Sequence, residues 1–391
     1  MAFDLQRARQ ETPGCEQVLH FNNAGSSLMP EAVLEATIGY LQLEAQMGGY
    51  EAAEQADEAI EHVYDAAARL INCSRDEIAL IENATRAWDM AFYSIPFQPG
   101  DRILTTMAEY ASNYIAFLQV TRKTGAVVEV IPNDAHGQIS LGALRKAIDE
   151  RVKLIAITHV PTNGGLVNPV AEVGKIAREN GILYLVDACQ SVGQMPIDVE
   201  QIGCDLLSAT GRKYLRGPRG TGFLYVRNSM LERLEPPLLD LHAAEWVSKD
   251  EYVMSPGARR FETWESNFAG KIGLGVAIDY ALAWGMDVVW KRIKNLAYML
   301  RTQLSPLPGV VVRDRGVTQC GIVTFSVEEK NPDEIKLALS KQHINISVTW
   351  RSSTLLDMDA RGLESMLRAS VHYYNSEEEV ERFCRAVEAL L

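Results

Sequence analysis

The middle of the chain alternates short apolar runs with a stretch of helical periodicity. Residues 153–160, KLIAITHV, form an apolar and partly β-branched run that is typical of a strand. Pro169 then precedes a segment, 170–180, whose apolar positions recur at helical spacing, and the Asn180-Gly181 pair indicates where that helix ends. Residues 182–188, ILYLVDA, are apolar throughout, as in a strand that is buried on both faces.

A strand, a helix and a second strand in this order form a β-α-β unit, which builds a parallel sheet through a right-handed crossover. Similar signals occur earlier in the chain, with strand-like runs at 78–81 and 102–107 and a helical segment that starts near Thr85. The pattern therefore predicts an α/β fold in which helices cover a mostly parallel sheet.

The pattern changes after about residue 270. A long helical pattern over 271–303 is followed by further short elements: strands at VVVRD and GIVTF, a helix at 332–341, a strand at 345–350 and a helix from Ser376. We predict a large domain over 26–270 and a smaller α+β domain over 271–391, against which an N-terminal arm, 1–25, packs.

Composition narrows the classes of function. The 391 residues include 51 acidic and 38 basic side chains, a formal charge of −13, which argues against nucleic-acid binding. We expect no membrane span and no signal peptide, because no apolar run is long enough for either. Six scattered cysteines form no CxxC pair and no zinc-like spacing, so we predict no metal and a reducing cytoplasm.

A basic stretch nevertheless occurs in this acidic chain. In ATGRKYLRGPRGTG, residues 209–222, four of the eight residues from Arg212 to Arg219 are cations. One interpretation is a solvated surface loop, in which Arg216 and Arg219 only brace or solvate the chain. The other is an anion site, and a nucleotide is disfavoured as its ligand because the sequence contains no P-loop motif.

Two reactive side chains follow neighbouring apolar runs. Asp187 ends one predicted strand, and Lys213 follows the next, 26 residues later. Ligands bind beyond the carboxyl ends of strands in open α/β sheets. The two residues would form either a structural ion pair or part of a pyridoxal phosphate (PLP) site, because PLP needs a lysine and a carboxylate at its pyridine nitrogen. Thr85 at a helix N-terminus, with Thr210 and Arg212, would bind the phosphate.

Three motifs in this order carry a family resemblance: DACQ at 187–190, SATGRK at 208–213 and GPRG at 217–220. They resemble the class V aminotransferase and cysteine desulfurase-like group of fold-type I PLP enzymes. The similarity extends from LHFNNAG at 19–25 to RASVHYYNSEEEV at 368–380, which is nearly the whole chain. It implies a large domain with a mostly parallel sheet between helices, and a smaller α+β domain.

The resemblance implies a role for each matching residue. Lys213 would be the Schiff-base lysine, Asp187 the partner of the pyridine nitrogen and Gln190 the contact of the phenolic oxygen. Tyr110 stands where many relatives have a histidine stacked on the ring. The remaining cofactor contacts would come from Thr85, the backbone of Arg86, Thr162, Thr210, Arg212 and Asn267.

Substrate contacts and assembly follow from the same resemblance. Arg368 would hold the substrate's α-carboxylate, with Arg351 as a weaker candidate and Asn23 as a further substrate contact. Residues 258–270 resemble a segment that relatives extend into the partner's active site, so we expect a homodimer. In this segment Glu265 occupies the position of a phosphate-binding threonine, so that contact is either missing or supplied by Asn267.

We expect a PLP enzyme that acts on an α-amino acid, and we favour a carbon–sulfur lyase that works by elimination. An aminotransferase, an epimerase and a non-catalytic PLP-binding protein are the alternatives. The sequence disfavours a persulfide-forming cysteine desulfurase, because Leu356 stands where such enzymes carry a thiol in the turn that begins at Trp350. Cys189 and Cys204 are predicted to be small core residues.

Overall fold

The computed structural model describes residues 3–391, and their strands form four sheets. In chain order the strands are β1 Leu19–His20, β2 Ile78–Ile81, β3 Arg102–Thr106, β4 Val127–Ile131, β5 Val152–Thr158, β6 Leu183–Asp187, β7 Leu206–Thr210, β8 Gly222–Val226, β9 Ala244–Ser248, β10 Glu251–Met254, β11 Val310–Val312, β12 Ile322–Val327, β13 Ile344–Asn345, β14 Ser347–Trp350 and β15 Ser365–Ser370.

Helices fill most of the remaining chain. They are α1 Leu5–Gln10, α2 Glu31–Met47, α3 Gly49–Gln55, α4 Asp57–Ile71, α5 Ala84–Tyr93, α6 Ala111–Thr124, α7 Leu141–Ala147, α8 Val170–Glu179, α9 Val199–Ile202, α10 Phe268–Trp284, α11 Met286–Leu304, α12 Pro332–Ser340, α13 Leu355–Ala360 and α14 Glu377–Glu388.

The largest sheet has seven strands in the order β2-β8-β7-β6-β5-β3-β4. Its pairs are parallel except for the two that β8 makes with β2 and β7. The strands β6 and β7 are buried along their whole length, in agreement with their mostly apolar sequences. The predicted α/β fold with a mostly parallel sheet is confirmed, and β5-α8-β6 is the predicted β-α-β unit.

The helix predicted over 271–303 is two helices. The chain breaks at Gly285, whose φ of 81° lies in the left-handed region that favours glycine, and α10 and α11 meet at 79°. Apolar spacing continues through the break because α10 packs on α2 and α4 while α11 packs on α14. No single described helix is both long and apolar enough to cross a membrane, although α10 and α11 together pass that test of length and composition.

The C-terminal part contains a four-stranded antiparallel sheet in the order β11-β12-β15-β14. The N-terminal arm joins this part of the chain through β1, which forms a separate two-stranded parallel sheet with β13. The ion pair between Arg9 and Glu379, 2.7 Å long, joins the arm to α14. The division at residue 270 remains a prediction, and α10, just beyond it, packs on helices of the N-terminal half.

A hairpin that the sequence did not predict follows the large sheet along the chain and forms a sheet of its own. Its strands β9 and β10 pair in antiparallel register, and their apolar residues face outward. Trp246 is 79% exposed. Strand prediction failed here because the alternation of apolar and polar positions that marks a half-buried strand is missing from a hairpin without a buried face.

Candidate active site

Parallel neighbours in the large sheet bring Asp187 and Lys213 together. Asp187 is the last residue of β6 and pairs in register with Ser208 of β7, and Lys213 lies three residues beyond the end of β7. The residues that follow these two strands therefore lie at the same edge of the sheet. This edge is where an open α/β sheet binds ligands.

Two cavities meet at this edge. The inner cavity, about 390 Å³, is lined by residues that include Thr85, Asp187, Cys189, Gln190 and Lys213. The outer cavity, about 590 Å³, which we call the mouth, adds Arg212 and Arg368 together with residues of β14. Tyr110, Thr162 and Lys213 line both cavities. The described chain thus forms one continuous cleft from the floor at Asp187 to the surface.

Asp187 forms the floor, and both of its oxygens accept hydrogen bonds. The backbone N–H of Cys189 donates to Oδ1 at 2.9 Å, and Nδ2 of Asn113 donates to Oδ2 at 3.0 Å. The side chain is buried, so these two bonds fix its direction. A carboxylate held in this way in a cavity suits a protonated ring nitrogen.

Cys189 was predicted to be a small core residue, but it lines the inner cavity instead. Its Sγ lies 3.2 Å from Nζ of Lys213. Burial raises the pKa of the Cys189 thiol, although the nearby ammonium of Lys213 works in the opposite direction. Cys204, by contrast, is fully buried in the core, as predicted.

Arg368 extends from β15 into the mouth. Its Nη1 donates to Oγ1 of Thr162 at 2.5 Å, while its Nε is buried without a partner. Burial lowers the pKa of this guanidinium because its charged form is poorly solvated there. A buried donor without a partner is costly, so the free edge of the arginine suits an anionic ligand.

The aromatic and phosphate-binding candidates lie around the inner cavity. Tyr110 is the N-cap residue of α6 and is 37% exposed, so its ring faces open space. Thr85 lies at the N-terminus of α5. Arg212 donates through Nη1 to the backbone oxygen of Gly25 and lines the mouth. Thr210 is buried behind them, with its hydroxyl 3.4 Å from the backbone oxygen of Thr221.

Two predicted cofactor contacts line a different cavity from Lys213. Arg86 and Asn267 line a separate cavity of about 530 Å³. The backbone N–H of Arg86 donates to Asn83 at 3.0 Å, and Asn267 caps α10 by accepting from the N–H of Gly270 at 2.8 Å. Both residues therefore already act as parts of helix N-termini within this chain.

Two predicted substrate contacts do not line the cleft. Arg351 forms an ion pair with Asp359 at the surface, so its charge is already compensated. Asn23 is buried and donates to the backbone oxygen of Ser370 at 2.7 Å, which fixes the N-terminal arm. Its neighbours Ala24 and Gly25 line the mouth instead.

The two later arginines of the basic stretch differ in their surroundings. Arg216 is 1% exposed and donates to the backbone oxygen of Leu28 at 2.8 Å and to the hydroxyl of Tyr373 at 2.6 Å. It also donates to the hydroxyl of Thr12 and therefore braces the N-terminal arm against the C-terminal part. Arg219 is exposed. Of the four cations, Arg212 and Lys213 reach the cleft.

The sequence interpretation missed two residues that contact the site, Glu109 and Asn113. Both are buried, and Asn113 contacts Asp187. They are four residues apart at the start of a helix, on either side of Tyr110 in the sequence EYASN. That spacing puts polar side chains side by side and was the available signal.

The cleft fits PLP. Lys213 provides an amine, Asp187 a fixed carboxylate, and Thr85 and Arg212 a hydroxyl and a cation. Gln190 donates to the backbone oxygen of Ala24 at 3.1 Å, while its Oε1 is buried without a partner. Polar atoms that the protein leaves unpaired around a cavity indicate that a polar ligand completes them.

Comparison with known proteins identifies the family. A profile of the family described as Aminotransferase class-V matches residues 19–383. A probable cysteine desulfurase of Pyrococcus abyssi is 31% identical over 98% of this chain and 96% of its own. The apo structure of a cysteine desulfurase from Thermococcus onnurineus NA1 is 30% identical, with a TM-score of 0.93 over 100% and 98% of the two chains. A cysteine desulfurase structure from Escherichia coli, 24% identical, shares the fold with a TM-score of 0.93 over the same shares of the two chains.

These relatives contradict the reaction that the sequence interpretation favoured. The preference for a carbon–sulfur lyase over a persulfide-forming cysteine desulfurase is wrong, because relatives named as desulfurases match nearly the whole chain. Leu356 shows only that the turn beginning at Trp350 has no thiol at this position. It does not show which bond of the substrate the enzyme breaks. The expected family, fold and cofactor are confirmed: the chain belongs to the class V aminotransferase family and is a PLP-dependent enzyme.

Proposed function

We propose that the enzyme removes the sulfur atom of L-cysteine and transfers it to a thiol, which leaves alanine. The observation that carries this proposal is the cleft that combines Lys213, Asp187 and Arg368 in a chain whose full-length relatives are named cysteine desulfurases. The three side chains provide a proton carrier, a holder for the cofactor and a clamp for an amino acid.

Bound PLP supplies an electron sink for the negative charge that develops at the substrate's α-carbon. Asp187 would hold the pyridine nitrogen, and Tyr110 would stack on the ring. Thr85 and Arg212 would bind the phosphate, while Gln190 would contact the phenolic oxygen. Arg86 and Asn267 at the N-termini of their helices, and Thr210 at the end of β7, would support this region.

Lys213 would act on the substrate's protons. Lys213 lines both the inner cavity and the mouth, and Arg368 lines the mouth, so the lysine amine would reach the α-carbon of a substrate whose carboxylate Arg368 held. After leaving the cofactor it would take the α-proton as a general base and return a proton as a general acid. Tyr110 lines both cavities and would exclude water from the reacting atoms.

In the sulfur-transfer step the acceptor's thiolate attacks the substrate's sulfur. An S–S bond forms and the bond between Cβ and sulfur breaks. The bonding electron pair stays on the β-carbon, which takes up one proton and becomes the methyl group of alanine. The acceptor's sulfur is oxidised to a persulfide and the carbon is reduced by the same two electrons, so no further oxidant is needed.

We propose that the acceptor thiol enters from outside through the mouth. None of the described residues that line the mouth is a cysteine. On the side of β14 they are Ser347, Val348, Thr349 and Ser353. Cys189 lies on the floor beside Asp187, where its backbone is tied to that carboxylate. The substrate's sulfur would point toward the open mouth. A small thiol or a cysteine of another protein would therefore reach this sulfur by a shorter path than Cys189 would.

The products of L-cysteine turnover test this proposal. With added dithiothreitol we expect alanine and sulfide in equal amounts, at a rate that rises with the thiol concentration. Cys189→Ser should retain this dependence on the added thiol. Pyruvate and ammonia as main products would refute desulfuration, and a persulfide trapped on Cys189 would refute the outside acceptor.

Arg368→Lys should raise KM for L-cysteine by about tenfold to a hundredfold with little change in kcat. The reason is that lysine keeps the charge but loses the planar fork that binds a carboxylate through two N–H groups, and a hydrogen bond to a charged group contributes about 1.5–3 kcal/mol. Steady-state kinetics measure both constants. Arg351→Lys is the matched control, because Arg351 pairs with Asp359 outside the cleft.

An unchanged KM in the Arg368 variant, or an equal rise in both variants, would remove Arg368 from the substrate site.

We propose a homodimer in the cytoplasm. The cavity of Arg86 and Asn267 opens at the surface beside Trp264, which is 52% exposed, and the segment 258–270 would approach a second copy there. All six cysteines, each within the described residues, are free thiols, which suits a reducing compartment.

A further inference from the structure

The acid at the cleft floor has a second buried carboxyl group behind it. Glu109 is 4% exposed and directly precedes Tyr110 in the chain. Its Oε1 accepts from Oγ1 of Thr158 at 2.5 Å and from Nδ2 of Asn113 at 2.9 Å. The same Nδ2 donates to Asp187 at 3.0 Å. One amide group therefore joins the two acids.

Glu109 also holds the start of α6. Its Oε1 accepts from the backbone N–H of Tyr110 at 2.8 Å, and its Oε2 accepts from Oγ1 of Thr105 at 2.9 Å. Thr105 belongs to β3 and Thr158 to β5, two adjacent strands of the large sheet. The carboxyl group thus ties the sheet to the residue that precedes the first turn of the helix.

Burying Glu109 beside a second acid costs free energy when no positive charge lies nearby. No salt bridge reaches Glu109 among the described residues, and burial raises the pKa of its carboxyl, with Asp187 adding to the rise. The hydrogen bonds from Thr158 and Asn113 oppose that rise. A buried acid next to a second acid is stabilised best when a cation lies nearby.

We propose that Glu109 and Asn113 are positioning residues for the PLP ring. Through the amide of Asn113, Glu109 fixes the carboxylate of Asp187 that would hold the ring nitrogen, and through its bond to the backbone of Tyr110 it fixes the residue whose aromatic ring would contact the cofactor. The two contacts on the ring are thereby set by one buried group. The inference concerns cofactor binding and is independent of which amino acid is the substrate.

Two variants separate the parts of this network. Asn113→Ala removes the link between the acids. Glu109→Gln keeps an oxygen for Tyr110, Asn113 and Thr158, and its new amide group can donate to the hydroxyl of Thr105, so it removes charge with little change of shape. Glu77→Gln is the matched control, because Glu77 is also buried and bonded to backbone N–H groups, at Ser74 and Asn228, outside the cleft.

The measurements are the Kd for PLP, by titration of the apo-protein, and the visible absorption spectrum of the bound cofactor at one pH. We expect Asn113→Ala to raise Kd about tenfold, which is the size of one hydrogen bond to a charged group. Glu109→Gln should raise Kd severalfold, and both variants should alter the spectrum. Glu77→Gln should change neither quantity.

The double variant tests whether the two residues act together. Both residues act on Asp187 along one chain of contacts. The Kd for PLP of the double variant should therefore be no higher than that of the single variant with the higher Kd. Fully additive losses, or a Kd within twofold of the wild type in both single variants, would overturn the proposal. If Glu109→Gln does not fold, as judged by thermal unfolding of the apo-protein, the Kd and spectrum of Asn113→Ala decide the matter.

Discussion

Lys213→Ala is expected to lower kcat for L-cysteine by at least about a thousandfold. A positioned proton carrier contributes about a hundredfold to ten-thousandfold, and the same lysine also provides the covalent attachment of the cofactor. No other lysine among the described residues lines the inner cavity or the mouth, so no neighbour can take over the task. Steady-state rates of alanine formation measure the effect.

The assignment of Lys213 has a chemical check that is independent of rate. Borohydride reduction should fix the cofactor to Lys213, and peptide mapping should find the adduct in the tryptic fragment that contains this residue. Arg219→Ala is the matched control, since Arg219 is an exposed cation of the same basic stretch. An adduct on another lysine, or an equal loss of rate in the control, would contradict the assignment.

Most of the large sheet could be predicted because its strands are buried on both faces. In β5, β6 and β7 a mostly apolar run indicates a strand inside the sheet, and glycine or proline marks the ends of the helix between β5 and β6. The break at Gly285 was missed because one glycine does not interrupt apolar periodicity. The hairpin β9–β10 was missed because it has no buried face.

The residues of the cleft also fall into those that the sequence could predict and those that it could not. Asp187 and Lys213 follow strand ends, so chain order alone brings them to one edge of the sheet. Arg368 comes from a strand in the other sheet, and family resemblance rather than spacing pointed to it. The contacts of Cys189, Asn113 and Glu109 depend on the directions of side chains. Those directions are set by packing that a single sequence does not contain.

The acid on the cleft floor gives the second large expected effect. Asp187→Asn should lower kcat by at least about a hundredfold and weaken PLP binding, while the fold is retained. The carboxylate accepts from Asn113 and from the N–H of Cys189, and it has lone pairs left for a protonated ring nitrogen. An amide has one oxygen and no charge, so it leaves one donor unpaired and cannot balance the positive ring. Removing a single preorganised electrostatic contact commonly costs a hundredfold to a thousandfold in kcat.

Asp205→Asn is the matched control for this prediction. Asp205 precedes β7 at the opposite edge of the sheet, and its carboxylate accepts from the backbone N–H of Tyr184 at 2.9 Å. The same chemical change there should affect the unfolding temperature and leave kcat and the Kd for PLP unchanged. Near-normal turnover in Asp187→Asn would mean that another carboxyl group holds the ring nitrogen. Glu109 is the buried acid that Asn113 joins to Asp187. The triple variant, which adds Glu109→Gln and Asn113→Ala to Asp187→Asn, would then test whether Glu109 holds the ring nitrogen.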